Sequence, residues 1–136
     1  GSCCGSLIDA AQRRSARRRR RPRRDAVDGA RLAAAERIHG SGVVAVSPSS
    51  TALVAERAEV IELPLDAAHL ANARFRDRVA RARWVLLDTS GEDPATGRPY
   101  WRAADPPRVI RMLKGEGFRV DYTAAGVYLL VVVGQG

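Results

Sequence analysis

The sequence predicts an α/β fold in which helices pack on a small, mostly parallel sheet of about five strands. Helical and strand patterns alternate along most of the chain, and this alternation is typical of parallel β-α-β arrangements. The last two strand patterns follow each other across a Gly-containing turn, so they predict an antiparallel C-terminal hairpin. A hydrophobic content of 46% in 136 residues is that of one globular domain.

The positive charge of the chain is concentrated at its N-terminal end. Residues 1–24 contain nine arginines and one acidic residue, whereas residues 25–136 contain 14 basic and 14 acidic residues. The net charge of +8 therefore lies in a segment whose like charges repel each other. We predict a disordered Arg-rich tail or juxtamembrane linker over 1–26, followed by a single α/β domain over 27–136.

The first elements of the domain are an amphipathic helix and a buried strand. From Asp28 the sequence DGARLAAAERIHGSG places apolar residues at helical spacing, and Gly40 and Gly42 end the pattern. The residues 43–46 (VVAV) are apolar, mostly β-branched and too few for a helix. They therefore predict a buried strand.

Three shorter patterns follow this strand. A Ser-Pro-Ser-Ser turn leads into a short helix that Ser50 or Thr51 can cap, because their hydroxyls accept hydrogen bonds from free backbone N–H groups. Residues 59–63 (EVIEL) alternate apolar and polar side chains as a half-exposed strand does, and Pro64 closes that strand. Asp66 is a suitable cap for the long charged helix that comes next.

The second half of the domain contains the most apolar strand and the longest loop. Residues 84–87 (WVLL) are fully apolar, so they predict a central strand. The loop over 88–104 is rich in Gly, Pro and Asp and is long for a compact domain. Asp105 and the two prolines after it open a helix. Strands over 118–122 and 127–133 complete the chain as a hairpin.

Polar side chains stand where the first and third predicted strands end. Ligands of open α/β sheets bind beyond the carboxyl ends of the strands, and these positions hold Ser47, Ser49 and Asp88. A hydroxyl-rich turn before a helix can hold a phosphate or a sugar on free backbone N–H groups. The alternative is that the serines cap the helix and Asp88 begins a turn. The glycines of a phosphate-binding loop are missing, which favours the alternative.

A second candidate contact lies inside the long loop. Tyr100, Trp101 and Arg102 are adjacent, and these residue types dominate recognition surfaces. They are the best candidates for contact with a ligand, such as a sugar, or with a partner protein. The alternative is that Trp101 folds back onto the sheet as a lid, and the sequence leaves both interpretations open.

The sequence offers no catalytic or metal-binding constellation. His39 and His69 have no motif partner, and Glu92 and Asp93 lie in a Gly- and Pro-rich loop without a third ligand. The two cysteines are adjacent, so they form no disulfide framework and show no zinc-site spacing. We therefore expect no catalytic residue, no metal site and no cofactor in this chain alone.

The arginines of the tail predict contact with polyanions. Each phosphate that an arginine neutralises releases counterions and adds salt-dependent affinity. Because the domain is neutral and the run holds no aromatic residue, the pattern indicates unspecific nucleic-acid binding through the tail at most. The alternative is a juxtamembrane segment that contacts anionic lipid headgroups. The arginines concerned are Arg13, Arg14, Arg17, Arg18, Arg19, Arg20, Arg21, Arg23 and Arg24.

Short motifs across residues 30–133 carry a family resemblance. The sequences are LVAER at 53–57, IELP at 61–64, ARWVLLD at 82–88 and a closing GFRV…GVYLL. In this combination the region resembles the soluble C-terminal region of the bacterial membrane protein family called domain of unknown function 2079. Members of that family resemble polytopic glycosyltransferases that use lipid-linked sugar donors.

The resemblance implies that this chain is part of a longer protein of the bacterial cell membrane. Residues 1–24 would then link this domain to the last membrane span of that protein. In such enzymes the catalytic acids lie in membrane-side loops, so it implies no catalytic residue here. The implied role is to cover or complete an acceptor-side site, with the parent's membrane-embedded part and anionic lipids as partners. The side of the membrane on which this domain lies stays open, because such domains usually face outward whereas arginines beside a membrane span favour the cytoplasmic side. The alternative function is a stand-alone module whose tail binds nucleic acid or another polyanion.

Overall fold

The computed structural model describes residues 24–40, 42–56, 59–70 and 72–133. These residues form five strands, five α-helices and a 3₁₀ turn over Pro48–Ser50. The strands are β1 (Val43–Val46), β2 (Glu59–Glu62), β3 (Trp84–Asp88), β4 (Phe118–Ala124) and β5 (Val127–Val132). The helices are α1 (24–37), α2 (Thr51–Val54), α3 (Ala67–Leu70), α4 (Ala73–Val79) and α5 (Asp105–Gly115).

The strands form one mixed sheet with the order β2-β1-β3-β5-β4. β1 pairs with β2 and β3 in parallel, whereas β5 pairs with β3 and β4 in antiparallel fashion. Four strands therefore run in one direction and β5 runs against them. The predicted α/β class, the five strands and the C-terminal hairpin are confirmed. The carboxyl ends of β1, β2 and β3 meet at one edge of the sheet, where ligands of α/β folds bind.

Both faces of the sheet are covered, and β3 lies at its centre. All five residues of β3 are buried, as the run of apolar side chains predicts. Trp84 and Leu86 pack in a cluster that includes the apolar side of α1. Val85 and Leu87 point the other way, into a second cluster built with α3, α4 and α5. The alternation along β3 thus divides the core into two layers.

The first helix extends further toward the N-terminus than the sequence pattern predicts. Residues 24–27 are already helical, and Val27 is buried in the same cluster as Ala30 and Ala34. These residues are three and four positions apart, so the apolar side of the helix extends one turn further than the pattern that begins at Asp28. The predicted disorder of the tail is therefore wrong for 24–26, while residues 1–23 lie outside the described residues.

The charged segment after β2 forms two short helices rather than the one predicted. Asp66 caps α3 as expected, because its Oδ1 accepts the backbone N–H of His69 at 3.1 Å. Asn72 then caps α4, since its side-chain oxygen accepts the backbone N–H of Arg74 at 3.0 Å. A competing cap inside the segment explains why a second helix begins there.

The hairpin between β4 and β5 turns over two residues. Ala125 has a φ of 50° and Gly126 a φ of 81°, which is the backbone of a type I′ turn. The prediction that Gly126 supplies a positive φ is confirmed. The predicted four-residue connection is too long, because β4 continues to Ala124.

Candidate functional site

The carboxyl ends of β1 and β3 meet in a cluster of polar side chains around Asp88. Its Oδ2 atom accepts hydrogen bonds from Arg31 Nε and Ser49 Oγ, both at 2.7 Å, and Arg31 Nη2 lies 2.6 Å away. Its Oδ1 atom accepts the backbone N–H of Ser90 at 2.8 Å and the Ser90 hydroxyl. The backbone N–H of Asp88 donates to Ser47 Oγ at 2.9 Å. We call these five residues the Asp88 cluster.

The pKa of Asp88 is held below its ordinary value although the residue is only 6% exposed. Burial alone would raise this pKa, since it disfavours the charged carboxylate. The hydrogen bonds from Ser90 and Ser49, together with the positive charge of Arg31, outweigh that effect. Asp88 is therefore ionised at neutral pH and forms an ion pair with Arg31.

The Asp88 cluster joins three parts of the fold instead of presenting a reactive group. A carboxylate has about four lone-pair sites, and those of Asp88 face donors from Arg31, Ser49 and Ser90. A general base needs a lone pair that faces its substrate, and here the donors occupy them all. The contacts connect α1, the turn after β1 and the end of β3. The structure thus brings Ser47, Ser49 and Asp88 together, but they bind one another.

The sequence pointed to Ser90 as a residue at the end of the third strand, whereas Arg31 escaped the sequence-based prediction. Arg31 lies 57 positions from Asp88, and nothing in the local sequence pairs them. Ser90 follows Asp88 by two residues, and an aspartate that bonds the backbone two residues on is a common turn. The Asp-Thr-Ser sequence therefore carried a signal for Ser90, whereas Arg31 requires the packing of α1 on the sheet.

The predicted caps at the start of α2 are wrong. Ser50 makes no side-chain capping bond, and the hydroxyls of Ser50 and Thr51 are buried without a hydrogen-bond partner among the described residues. The chain enters α2 through the 3₁₀ turn over Pro48–Ser50, in which the Ser50 N–H already donates to the Ser47 carbonyl at 2.9 Å. This tighter entry satisfies the backbone in place of a side-chain cap.

A cleft lies at the same edge of the sheet but on its other face, between α3, the long loop and α5. It has a volume of about 780 Å³. Tyr100, Met112 and four smaller apolar residues line it together with six charged residues. We call it the loop-side cleft. Its charged residues are Asp66, Asp93, Asp105, Arg98, Arg102 and Arg108.

The three loop candidates Tyr100, Trp101 and Arg102 take different positions. Trp101 is only 5% exposed, packs in the core, and donates from Nε1 to the Leu65 carbonyl at 2.9 Å. Of the two interpretations left open by the sequence, the structure therefore shows the lid, and Trp101 as an exposed contact is wrong. Tyr100 is half-buried and Arg102 is exposed, and both line the loop-side cleft.

Hydrogen bonds hold the rim of the loop-side cleft in place. The Arg102 backbone N–H donates to Asp105 Oδ2 at 2.8 Å, which ties the loop to the start of α5. On the opposite rim Asp66 Oδ1 lies 2.6 Å from His69 Nδ1. The hydrogen bonds from His69 hold the pKa of Asp66 below its ordinary value. The cleft is thus an anchored surface that presents carboxylates, guanidinium groups and one aromatic ring.

The remaining candidates from the sequence lie apart from one another. His39 is exposed beyond the end of α1, where its Nδ1 contacts the Arg37 carbonyl at 2.8 Å. Glu92 is exposed, while Asp93 lines the loop-side cleft and caps a turn by accepting the Ala95 N–H at 2.9 Å. Arg24 is exposed on α1. The other tail arginines lie outside the described residues.

In the described ranges no helix is both long and apolar enough to cross a membrane. The same ranges contain no group of three or more His, Cys, Asp or Glu side chains placed to hold a metal ion. Comparison of the chain with protein-family models, curated proteins and solved structures finds no match.

Proposed function

We propose that this chain is a non-catalytic binding domain of a longer membrane protein, and that it covers or completes an acceptor-side site through the loop-side cleft. The placement in a membrane protein that resembles glycosyltransferases rests on the sequence motifs alone. The binding role rests on one structural observation. The cleft combines guanidinium groups, carboxylates and Tyr100 at the carboxyl edge of the sheet.

The chemistry of the loop-side cleft suits a ligand with many hydroxyl groups, such as a saccharide acceptor. Guanidinium groups donate in pairs and carboxylates accept in pairs, so together they can hold vicinal hydroxyls that both donate and accept. The half-buried ring of Tyr100 offers an apolar face against which a sugar ring can pack. A cleft of about 780 Å³ accommodates one or two sugar rings.

The Asp88 cluster supports the non-catalytic part of the proposal. Asp88 is the one buried carboxylate among the described residues, and its oxygens are already held by internal donors. A carboxylate in this state is a poor proton acceptor for a substrate. In this proposal the domain holds the ligand, and the reaction belongs to another part of the parent protein.

Two arginines of α5 provide a matched test of binding in the loop-side cleft. Arg108 lines the cleft, whereas Arg111 is exposed on the same helix outside it. Saturation-transfer NMR on the full chain with a panel of mono- and disaccharides is expected to show contact for at least one sugar. Arg108→Ala is expected to weaken that binding about tenfold, the usual effect of losing a charged hydrogen bond. Arg111→Ala should bind as the unaltered chain does.

The saccharide proposal has a clear contrary result. If no sugar of the panel binds, or if Arg108→Ala and Arg111→Ala bind equally well, the cleft is not the contact surface. Circular dichroism of both variants supplies the folding control, since both side chains are exposed and their loss should leave the melting temperature unchanged.

The Arg-rich tail supplies a test between the membrane function and the alternative of a polyanion-binding module. The full chain is expected to bind anionic vesicles, and this binding should fall steeply with salt and disappear in a variant lacking residues 1–23. Binding to duplex DNA should be no tighter than that of an Arg peptide of the same length. Tight DNA binding that survives the deletion would instead establish a nucleic-acid-binding domain.

A further inference from the structure

A second cleft lies on the face of the sheet covered by α1, at the opposite end of β3 from Asp88. It has a volume of about 420 Å³. Its floor is a row across three strands, in which Trp84 of β3 pairs with Val131 of β5 and Val131 pairs with Arg119 of β4. Paired residues of adjacent strands point to the same face, so these three side chains lie side by side. We call this second cleft the Trp84 cleft.

Trp84 brings an unused hydrogen-bond donor to this cleft. The residue is 5% exposed, and its Nε1–H is buried without a hydrogen-bond partner among the described residues. An indole N–H can only donate, and a buried donor without an acceptor destabilises the fold because it has lost its bond to water. The other tryptophan, Trp101, shows the usual arrangement, since it donates to a carbonyl.

The ring of His39 packs against the Trp84 indole. The two rings meet edge to face, with centroids 5.4 Å apart and an angle of 62° between the planes. His39 is exposed and follows the end of α1, and Gly40 with a φ of 81° comes next. Rotation of an exposed side chain at such a position requires no change in the core. We expect a ligand to reach Nε1 by displacing the His39 ring, which breaks the contact between His39 Nδ1 and the Arg37 carbonyl.

The charged groups around the Trp84 cleft favour an anion. Arg37 is paired with Asp121, with 3.0 Å between Nε and Oδ2. The lining also holds Arg83, which has an interaction partner of its own, and the exposed side chains of Arg119 and Glu36. Arg119 makes no ion pair or hydrogen bond within the described ranges. An unpaired guanidinium and an unpaired N–H that line the same cleft are two donors that fit an oxyanion.

We propose that the Trp84 cleft binds a small oxyanion, the phosphate or carboxylate group of a small ligand, through Trp84 Nε1–H and the Arg119 guanidinium. The acceptor oxygen satisfies the buried indole and the negative charge is held by Arg119. This site lies on the other face of the sheet from the loop-side cleft. If no anion binds in the Trp84 cleft, the proposed function is unaffected. If no saccharide binds in the loop-side cleft, the proposed anion site is unaffected.

The two tryptophans allow the site to be observed in the full chain. The ¹⁵N-labelled protein has two indole N–H signals, which the Trp84→Phe variant assigns. Sodium phosphate and sodium acetate are titrated separately, each against sodium chloride at equal ionic strength. The Trp84 signal is expected to shift saturably with phosphate, with acetate or with both, while the Trp101 signal stays in place. The response to each salt identifies the anion.

Two arginine variants complete the test. Arg119→Gln is expected to raise the dissociation constant at least tenfold. Arg111→Gln removes an arginine from α5, on the other face of the sheet, and should titrate like the unaltered chain. The proposal is overturned if the Trp84 signal does not move, if chloride moves it as far, or if Arg119→Gln has no effect. Anions that bind only to the Arg-rich tail leave the indole signal unchanged and count against the site.

Discussion

Replacing Asp88 with asparagine is expected to lower the free energy of unfolding by about 3 kcal/mol, which is the usual effect of removing one partner of a buried ion pair. The substitution keeps the size of the side chain but removes its charge. Arg31 would lose its buried partner, and one side-chain oxygen would be replaced by an NH₂ group that faces the donors of Ser49 or Ser90. Urea unfolding of the full chain measures the loss.

Asp121→Asn is the matched control for this substitution. Asp121 pairs with Arg37 on the surface, where the Arg37 side chain is 49% exposed. Exposed ion pairs contribute at most about 1 kcal/mol, so the control should lose far less stability than Asp88→Asn. Equal losses in the two variants would show that the Asp88 cluster does not hold the sheet edge to α1.

The pH dependence of unfolding separates the charge of Asp88 from its packing. The folded-state pKa of Asp88 lies below the value of about 3.9 for an aspartate in an unfolded chain. The unfolded chain therefore binds the proton first as the pH falls, and the folded state loses stability. The contribution is fully present above about pH 4 and disappears as the pH falls through the folded-state pKa. The stability gap between the unaltered chain and Asp88→Asn should narrow over the same interval.

β1, β3 and β5 could be predicted because each is a short apolar run with an evident end. Residues 84–87 are the clearest case, and β3 is indeed the central and most buried strand. The position of β5 between β3 and β4 could not be predicted in the same way. It depends on which edge of β3 remains open after β1 has paired, and no local pattern carries that information.

The position of the Asp88 cluster was predictable from the sequence, but its internal hydrogen bonds were not. The rule that polar residues gather at the carboxyl ends of parallel strands correctly placed Ser47, Ser49 and Asp88 together. Their internal hydrogen bonds depend on Arg31, which reaches Asp88 only after α1 has packed on the sheet. The unpaired indole of Trp84 was equally hidden, because an apolar strand pattern treats tryptophan as a core residue and ignores its N–H.

Trp101 shows why an aromatic residue in a long polar loop is hard to interpret from sequence. Its neighbours Tyr100 and Arg102 line the loop-side cleft, yet its own ring packs in the core beneath the loop. The Nε1–H donates to the Leu65 carbonyl. This hydrogen bond connects the loop to the chain segment after β2. The same tripeptide therefore supplies one anchor for the loop and two residues for the surface.

Trp101→Ala is accordingly expected to lower the free energy of unfolding by about 3–5 kcal/mol, the usual loss when a buried aromatic residue is truncated in a core. An exposed Trp101 would predict a nearly unchanged melting temperature, so thermal unfolding decides between the two positions. Trp101→Phe is the informative control, because it keeps an aromatic ring in the core while it removes the hydrogen bond to Leu65 and part of the buried volume. Its loss should be smaller, about 1–3 kcal/mol, since the Leu65 carbonyl is left without that donor.

The second control for Trp101 is its neighbour. Tyr100→Ala removes an aromatic ring that is half-buried at the cleft, so it should cost much less stability than Trp101→Ala while weakening saccharide binding. Trp101→Ala should therefore mainly lower stability and Tyr100→Ala should mainly lower saccharide binding, because the Trp101 ring packs the loop onto the core and the Tyr100 ring faces the proposed ligand. If Trp101→Ala instead kept its melting temperature and lost binding, Trp101 would be the contact residue and the loop would be held by other interactions.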